Sequence, residues 1–480
     1  MKTGKILAGL GMCLLINIAG AGTAMAAGWT SDTGNWKYMD ANGSYVTNEW
    51  KTSNGESYFL GSDGEMETDA WVDGTYYVNS GGAMVKNSWI QVTETGGAKE
   101  PGWYYLTASG KLQQDGWATI GDYKYCFDSE GRMRTGWYYE DDNTYYLGGE
   151  DDGAMKTGWR CLAFDEDNVP EEGDISTSYA SAGDDAKWFY FQTSGKAKKA
   201  DSSDYATLTV DNKKYYFDEN GAMMTGWQAI HDSESGDATG ISKFVYLGGD
   251  DEGWMAKSQW LQLSGHPGDS DDKDEITGAD SDDAPQEGDR QWYYFESDGT
   301  PAYLKTTASS MSAATTKVSG ESYFFDQYGV MRTGLIKVSS GSAEMVGYFN
   351  DGDGRMRTGK QSGILDDEGE KHTFYFATSG SGKGAGYTGE KDGYLYYDGL
   401  LITADEGTDY QAYEVDGDLY LVNESGKVQT GSKAYKSDGT YTYRISGGTL
   451  YYTDDDGDLS DAVSSGETLP TFTCNYEYDL

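Results

Sequence analysis

The segment GRMRTGW (131–137) decides the fold, because it returns along the chain as GAMKTGW (153–159), GAMMTGW (221–227), GVMRTGL (329–335) and GRMRTGK (354–360). Looser copies begin at Gly43, Gly64, Gly82, Gly110, Gly195, Gly253, Gly299 and Gly426. The glycines at 43, 64, 82, 110, 131 and 153 are separated by 21, 18, 28, 21 and 22 residues, which sets a short unit that tolerates insertions. A unit of this size cannot bury a core alone, so neighbours have to stack. Upstream of the motif, WATI (117–120), a Gly121-Asp122 turn, YKYCF (123–127) and a second turn ending at Gly131 read as a β-hairpin. The layout recurs at KYYFDENG (214–221) and SYFFDQYG (322–329). A lone hairpin is marginal in water, whereas a stack buries each aromatic face on the next unit. The expected fold is therefore all-β: a β-solenoid of stacked hairpin repeats. Within the motif, Gly is read as the residue that takes a positive φ and Met as an adaptable filler between hairpins.

Composition agrees. The chain has 480 residues, 37 % of them hydrophobic, which is lean for the cores of one large globular enzyme. Its 40 Tyr, 14 Trp and 14 Phe must supply the burial and argue against disorder, while 6 Pro exclude collagen. Frequent glycine and dense β-formers leave no useful helix. Residues 1–26 read as a signal peptide: Lys2 and Lys5, an apolar run from Ile6 to Ala19, and small residues through Ala26. No later stretch suggests a transmembrane segment, so the product is expected to be secreted. A formal net charge of −44 excludes nucleic acid as a partner, and contact with an anionic polymer would need short-range interactions or bridging cations. Beyond the leader stand Cys126, Cys161 and Cys474, of which the first two could pair, although an odd count argues against a disulfide scaffold. Acidic insertions at 165–187, 231–243 and 264–290 are expected as loops at hairpin tips.

The pattern of Gly-Trp, a short strand, Trp-Tyr-Tyr-Phe and Asp-x-x-Gly-x-Met-x-Thr-Gly-Trp resembles the choline-binding or cell-wall-binding repeats of Gram-positive surface proteins, which are related to glucan-binding and clostridial-toxin repeats. The resemblance implies a solenoid with ligand cages between hairpins, each built from the Trp after Gly, the Trp opening the Trp-Tyr-Tyr strand and an aromatic of the next hairpin. Carried onto this chain, both tryptophans survive at Trp29 with Trp36, Trp89 with Trp103, Trp159 with Trp188, and Trp260 with Trp292. The third rings would be Tyr58, Tyr125, Tyr215 and Tyr323 respectively. Only the first pair has the family's spacing of seven; the others are 14, 29 and 32 apart. Elsewhere Ser57, Thr75, Lys124, Thr144 and Lys214 stand where the second Trp should be, which leaves those cages incomplete. All 14 tryptophans lie between Trp29 and Trp292, which divides the chain after its leader into Trp-rich wall-binding repeats (27–300) and degenerate Trp-free repeats (301–480).

A quaternary ammonium has no hydrogen to donate, so it is held by the negative faces of rings, at about 0.5–2 kcal/mol per contact. The same rings stack on sugars, so choline and glycan both remain candidates. Any single Trp could equally be part of a packing ladder. With 80 acidic residues, pairs such as Asp141-Asp142 and Asp250-Asp251 are expected by chance and point to no general acid and base. His231, His266 and His372 show no second ligand at a metal spacing, and no nucleophile elbow or phosphate loop is present. No cofactor is expected. Calcium is the one ion for which candidate runs exist, at 269–274, 350–354 and 454–458, none with full EF-hand spacing. The reading is a non-catalytic, exported, cell-wall-associated protein that binds teichoic acid or polysaccharide. Its alternatives are a secreted glucan-binding protein and the binding part of a wall hydrolase. Oligomeric state is open.

Overall fold

The computed structural model describes residues 27–32, 34–95, 97–164, 186–201, 204–231, 240–264, 290–305, 307–437 and 439–480. The proposed leader and most of the three acidic insertions lie outside these residues. The chain divides into two compact units, the first ending at Lys198 and the second beginning at Lys199. The change in tryptophan content near 300 is thus a feature of composition within the second unit.

The described part of the first unit is a run of two-stranded antiparallel hairpins. They are β1 (Gly28–Asp32) with β2 (Asn35–Met39), β3 (Glu49–Ser53) with β4 (Glu56–Leu60), β5 (Ala70–Val72) with β6 (Tyr76–Val78), and β7 (Ser88–Val92) with β8 (Gly102–Leu106). There follow β9 (Gly116–Ile120) with β10 (Tyr123–Phe127), β11 (Trp137–Glu140) with β12 (Asn143–Tyr146), and β13 (Gly158–Ala163) with β14 (Ala186–Phe191). The tight turns carry residues that tolerate left-handed backbone at both central positions, such as Asn54-Gly55 (φ 54° and 85°), which matches the right-handed twist of the flanking strands. Each hairpin then ends in the turn the motif encodes. Asp128 Oδ1 accepts from the N–H groups of Glu130 (3.0 Å) and Arg132 (2.8 Å), and Asp40 and Asn79 do the same in their own repeats.

The motif also joins neighbours. The N–H of Met133 donates to Trp103 O of the preceding hairpin (2.8 Å), while that of Arg134 donates to Cys126 O of its own (2.8 Å). The link recurs from Met66 to Trp36 O, Met84 to Ser57 O, Leu112 to Thr75 O, Met155 to Lys124 O and Ala197 to Thr144 O, at 2.7–2.8 Å. The Met side chain lies under the glycine of the next copy: a Cβ on Gly82 would come within 2.6 Å of Met66 Sδ. That glycine also has φ 76°, so its place is fixed twice over. The second strands bury Leu60, Val78, Tyr104, Leu106, Phe127, Phe189 and Phe191.

The second unit begins in the same way, with hairpins of β15 (Ala206–Val210) and β16 (Lys213–Phe217), β17 (Trp227–Gln228) and β18 (Val245–Tyr246), and β19 (Gln259–Ser264) and β20 (Arg290–Phe295). One 3-10 turn, Gly240–Lys243, precedes β18. The Trp-free part then departs from the expected plain stack of hairpins. Strands β21 (Thr315–Val318), β22 (Glu321–Phe325) and β23 (Met331–Arg332) form a three-stranded sheet. Next come β24 (Gly334–Ser340) and β25 (Ala343–Phe349). A five-stranded sheet follows, with β26 (Gly359–Leu365), β27 (Lys371–Phe376), β28 (Gly389–Lys391), β29 (Tyr394–Tyr397) and β30 (Leu400–Leu401) in the order β26-β27-β30-β29-β28. Beyond it lie the hairpin of β31 (Tyr410–Val415) and β32 (Asp418–Asn423) and a four-stranded sheet of β33 (Ala434–Ser437), β34 (Thr440–Ser446), β35 (Thr449–Thr453) and β36 (Leu459–Ala462).

The last strand, β37 (Tyr476–Asp479), returns to pair in parallel with β24, Ile336 opposite Tyr476. Asn475 exchanges bonds with Leu335 on both its N–H (2.9 Å) and its Oδ1 (2.8 Å). Where tryptophan is missing, aliphatic and Phe clusters replace the ladder: Leu335, Ile364, Phe374, Phe376, Leu395 and Ile402 form one core. The motif's link nonetheless persists, from Met356 to Ser322 O (2.8 Å) and from Val428 to Gly393 O (2.9 Å). Asp326, the turn-forming acid of its repeat, is fully buried and bonded to Arg332 at 2.7 Å, with the guanidinium 4.7 Å from the Tyr476 ring.

Candidate functional site

Side chains two positions apart on a strand share a face, so hairpin register decides which rings can meet. Trp89 stands opposite Tyr105 and Gln91 opposite Trp103, which puts the two indoles diagonally on one face. Their centroids are 6.5 Å apart and their planes nearly perpendicular, at 85°. Tyr125 of the next hairpin closes the corner, 4.9 Å from Trp89 at 63°. In the second unit Trp260, Trp292 and Tyr323 repeat this geometry at 6.5 Å, 81° and 4.9 Å, 68°. In the first unit Trp29 and Trp36 share the same register, Trp29 opposite Tyr38 and Ser31 opposite Trp36, and Tyr58 lies 5.4 Å from Trp29. Trp159 and Trp188 form the same diagonal pair (6.3 Å, 82°); Tyr215 belongs to the second unit. Long insertions between the paired tryptophans therefore leave the register unchanged, because they enter at the hairpin tip.

The contact from the first Trp to the next hairpin's ring recurs through the first six hairpins: Trp29–Tyr58, Trp50–Tyr76, Trp71–Tyr104, Trp89–Tyr125, Trp117–Tyr145 and Trp137–Phe189, at 4.8–5.5 Å. It forms whether the second position holds Trp36 and Trp103 or Ser57, Thr75, Lys124 and Thr144. This ladder is packing, and the second Trp adds a further ring wall only in the hairpins that carry it. Trp137 is itself buried, with Phe164 beside it at 6.1 Å. At Trp227 the second position falls to the buried Phe244. The Lys214 hairpin lacks the first ring as well, since Thr207 stands opposite Tyr216.

The Trp103 corner carries polar groups that the sequence reading did not single out. Trp103 Nε1 donates to Asp151 Oδ1 (3.0 Å), as does Gln91 Nε2 (3.4 Å). A cleft of about 520 Å³ runs beside them, lined also by Arg132, Arg134 and Glu150. Burial first, and Asp152 second, push the Tyr125 phenol above its ordinary range, so this wall stays neutral. A signal for Asp151 was present: GGEDDGAM (148–155) and GGDDEGWM (248–255) are one loop, folded alike with the N–H groups of Asp152 and Gly153 on Gly149 O and those of Glu252 and Gly253 on Gly249 O.

Other expectations need correction. His372, read as lacking a companion ligand, lies 3.0 Å from Asp366 Oδ2, and with Glu370 it brings three potential donor atoms within 4.8 Å of one another. The hairpin turn between β26 and β27 folds this D-x-x-x-E-x-H run together; Asp366 Oδ1 also takes the N–H of Glu370 (2.8 Å). Cys126 and Cys161 do not pair: all three described cysteines are free, Cys126 buried and Cys161 exposed. In the acidic runs, Asp353 pairs with Arg357 (2.8 Å) and Asp454 Oδ1 accepts from Asp456 and Asp458 N–H groups, while 269–274 lies outside the described residues. Among the described residues no helix is long and apolar enough to cross a membrane.

Family models for a choline-binding repeat match residues 44–83, 115–159 and 207–236, and one for a cell wall binding repeat matches 289–300. No curated protein matches the chain. Among solved structures, the chain is similar to choline binding protein F from Streptococcus pneumoniae, solved in the presence of a peptidoglycan analogue (22 % identity, 73 % of this chain and 99 % of that one, TM-score 0.39). It is also similar to the modular autolysin LytC from Streptococcus pneumoniae, in complex with synthetic peptidoglycan ligand (21 % identity, 65 % of this chain, TM-score 0.37). The alignment spans 55 % of the autolysin's length. The segments 44–83, 115–159 and 207–236 are thus similar to choline-binding repeats, in agreement with the motif and the hairpin register.

Proposed function

We propose that this chain is a non-catalytic, exported protein that attaches to the cell wall of a Gram-positive bacterium by holding choline-type ammonium groups in its open Trp–Trp–Tyr corners. The observation that carries the reading is the diagonal pair of perpendicular indoles at Trp89–Trp103 and Trp260–Trp292, each closed by a Tyr of the next hairpin. Ring faces meeting at a right angle give a cation two π-surfaces at once, and Asp151 at the Trp103 corner adds a carboxylate on its polar side. Within each unit the hairpins are read as a solenoid, joined by the Met N–H links. Several shallow sites on one array would raise retention on a polymer above that of a single corner. Teichoic acid bearing choline is the partner this chemistry suits.

A glycan is the second reading, favoured by the Trp292 indole, which is 43 % exposed and offers a flat face to a sugar. No cofactor enters either reading; calcium bound by the acidic loops is the one addition, and retention on walls that is unchanged by EDTA would remove it. The deciding experiment passes the purified chain over choline resin, dextran and isolated walls. Elution from walls by millimolar choline is expected. Retention on dextran alone would favour the glycan, lysis of peptidoglycan would restore the hydrolase, and no retention on any support would end the proposal.

A further inference from the structure

In two incomplete corners the chain's own cations stand where a ligand would. At Trp117 the second position is Lys124, whose carbonyl takes the Met155 link just as Trp103 takes that of Met133. Its Nζ lies 4.5 Å from the Trp117 ring centre, and Trp117 in turn meets Tyr145 at 5.0 Å. At Trp71, where the second position is Thr75, the cation comes from elsewhere. Lys99, in the insertion between β7 and β8, places Nζ 5.6 Å from Trp71 and 5.7 Å from Tyr104, the two rings of that corner, and donates to Glu130 O at 2.8 Å. The Trp-free part shows the same relation: Lys360, at the position of the first Trp, sets Nζ 4.5 Å from Tyr394, the third-ring position of its neighbour. Three lysines from three different positions in the repeat thus reach rings of the ladder, Lys124 the first ring, Lys360 the third and Lys99 both. A shared local sequence cannot explain that, but the attraction of a ring corner for an ammonium can.

We infer that Lys99 and Lys124 are internal pseudo-ligands, and that the corners at Trp71 and Trp117 are latent sites for small quaternary ammonium ions, closed by these side chains. The inference rests on the ammonium reading of the open corners and adds that lysine placement sets how many corners a unit offers. At Trp117 one substitution can both remove the occupant and supply the missing wall, because Lys124 occupies the second-Trp position.

The test uses the chain from Ala27 onward, titrated calorimetrically with tetramethylammonium and with choline, as wild type, Lys124→Trp, Lys124→Ala and Ser57→Trp. Ser57→Trp supplies a wall without removing a lysine and calibrates the gain from a wall alone. In parallel, NMR reads the ε-methylene signals of Lys99 and Lys124, assigned by their loss in Lys99→Ala and Lys124→Ala. Expected are ε-protons shifted upfield by the indole ring currents in both lysines, and one additional equivalent bound by Lys124→Trp. Unshifted ε-protons in the folded wild type would overturn the inference. So would an unchanged stoichiometry in Lys124→Trp when the wild type binds and Ser57→Trp gains a site. Failure of the wild type to bind either ion would refute the ammonium reading itself and the latent sites with it; the ring-current shifts would then show that the lysine placement was right and its meaning wrong.

Discussion

Truncating Trp103 and truncating Trp89 should have opposite signatures, although the two indoles touch. Trp89 meets four rings, those of Trp103, Tyr105, Tyr125 and Phe127, at 4.9–6.5 Å, and belongs to the ladder that joins successive hairpins. Removing it leaves a cavity at a seam, and a large aromatic lost from such a site costs about 3 kcal/mol or more. Trp103 is a wall. The same position is Ser57, Thr75 or Thr144 in hairpins that keep their ladder contact, so Trp103→Ala should cost the fold under about 1 kcal/mol. Its effect should fall on the ligand instead. One cation–π wall contributes about 0.5–2 kcal/mol, so affinity at this corner should drop roughly 2- to 30-fold. Thermal unfolding followed by near-ultraviolet circular dichroism, with choline titrations monitored by tryptophan fluorescence, separates the two. The separation of ladder from wall would be refuted if Trp103→Ala lowered the unfolding temperature as far as Trp89→Ala does, or if it left choline affinity unchanged.

Further outcomes follow from the packing. Gly131→Ala should destabilise the first unit by about 1 kcal/mol or more, because residue 131 has φ 82° and a Cβ would sit 2.5 Å from Leu112 Cδ2; urea titration measures this. Arg332→Met should cost the second unit about 3–5 kcal/mol by stranding the buried Asp326 carboxylate, and Asp326→Asn combined with Arg332→Met should recover part of the loss in the same assay. At pH 8 one thiol of the native chain from Ala27 onward, Cys161, should react with Ellman's reagent. Cys126 is buried, with its pKa raised by desolvation, and Cys474 is pushed up to about 12 by burial and then by Glu477, so both should wait for unfolding. Fast labelling of two or more thiols without denaturant would contradict that.

The hairpins of the first unit were legible because each rule involved is local. Asn54-Gly55 requires a tight turn, Asp128 caps the next one through its own neighbours' N–H groups, and the Gly-x-Met spacing sets a link that repeats. Diagonal pairing of Trp89 with Trp103 follows from period two once the strands are known, which is why a 14-residue separation made no difference. The parallel pairing of β37 with β24 was not legible. It joins residues about 140 apart in sequence, and no turn signal or periodicity encodes a contact whose partner is that distant. The Asp366–Glu370–His372 trio went unread for another reason: which side chains converge depends on the closing register of the turn, Leu365 opposite Lys371 and Ile364 opposite His372, and no residue of the run marks where that turn closes.

The missing tryptophans of the distal part can be understood from the same division of labour. A ladder of two-stranded hairpins has no sheet edge shared with its neighbours, so each joint depends on large rings reaching across the seam and on a single backbone link. Once strands are recruited into sheets of three to five, main-chain bonds and smaller apolar side chains take over that task, as Leu335, Phe374, Leu395 and Ile402 do. Tryptophan is then no longer needed for cohesion, and a corner without its first ring offers a cation one π-surface fewer. On this account the loss of indoles beyond Trp292 and the widening of the sheets are one event seen in composition and in topology. Restoring Trp at Leu335, a fully buried position, should therefore overpack that core and destabilise the second unit by about 1–3 kcal/mol instead of creating a binding corner. A Leu335→Trp variant that kept its unfolding temperature and bound one more choline would show the two features to be independent.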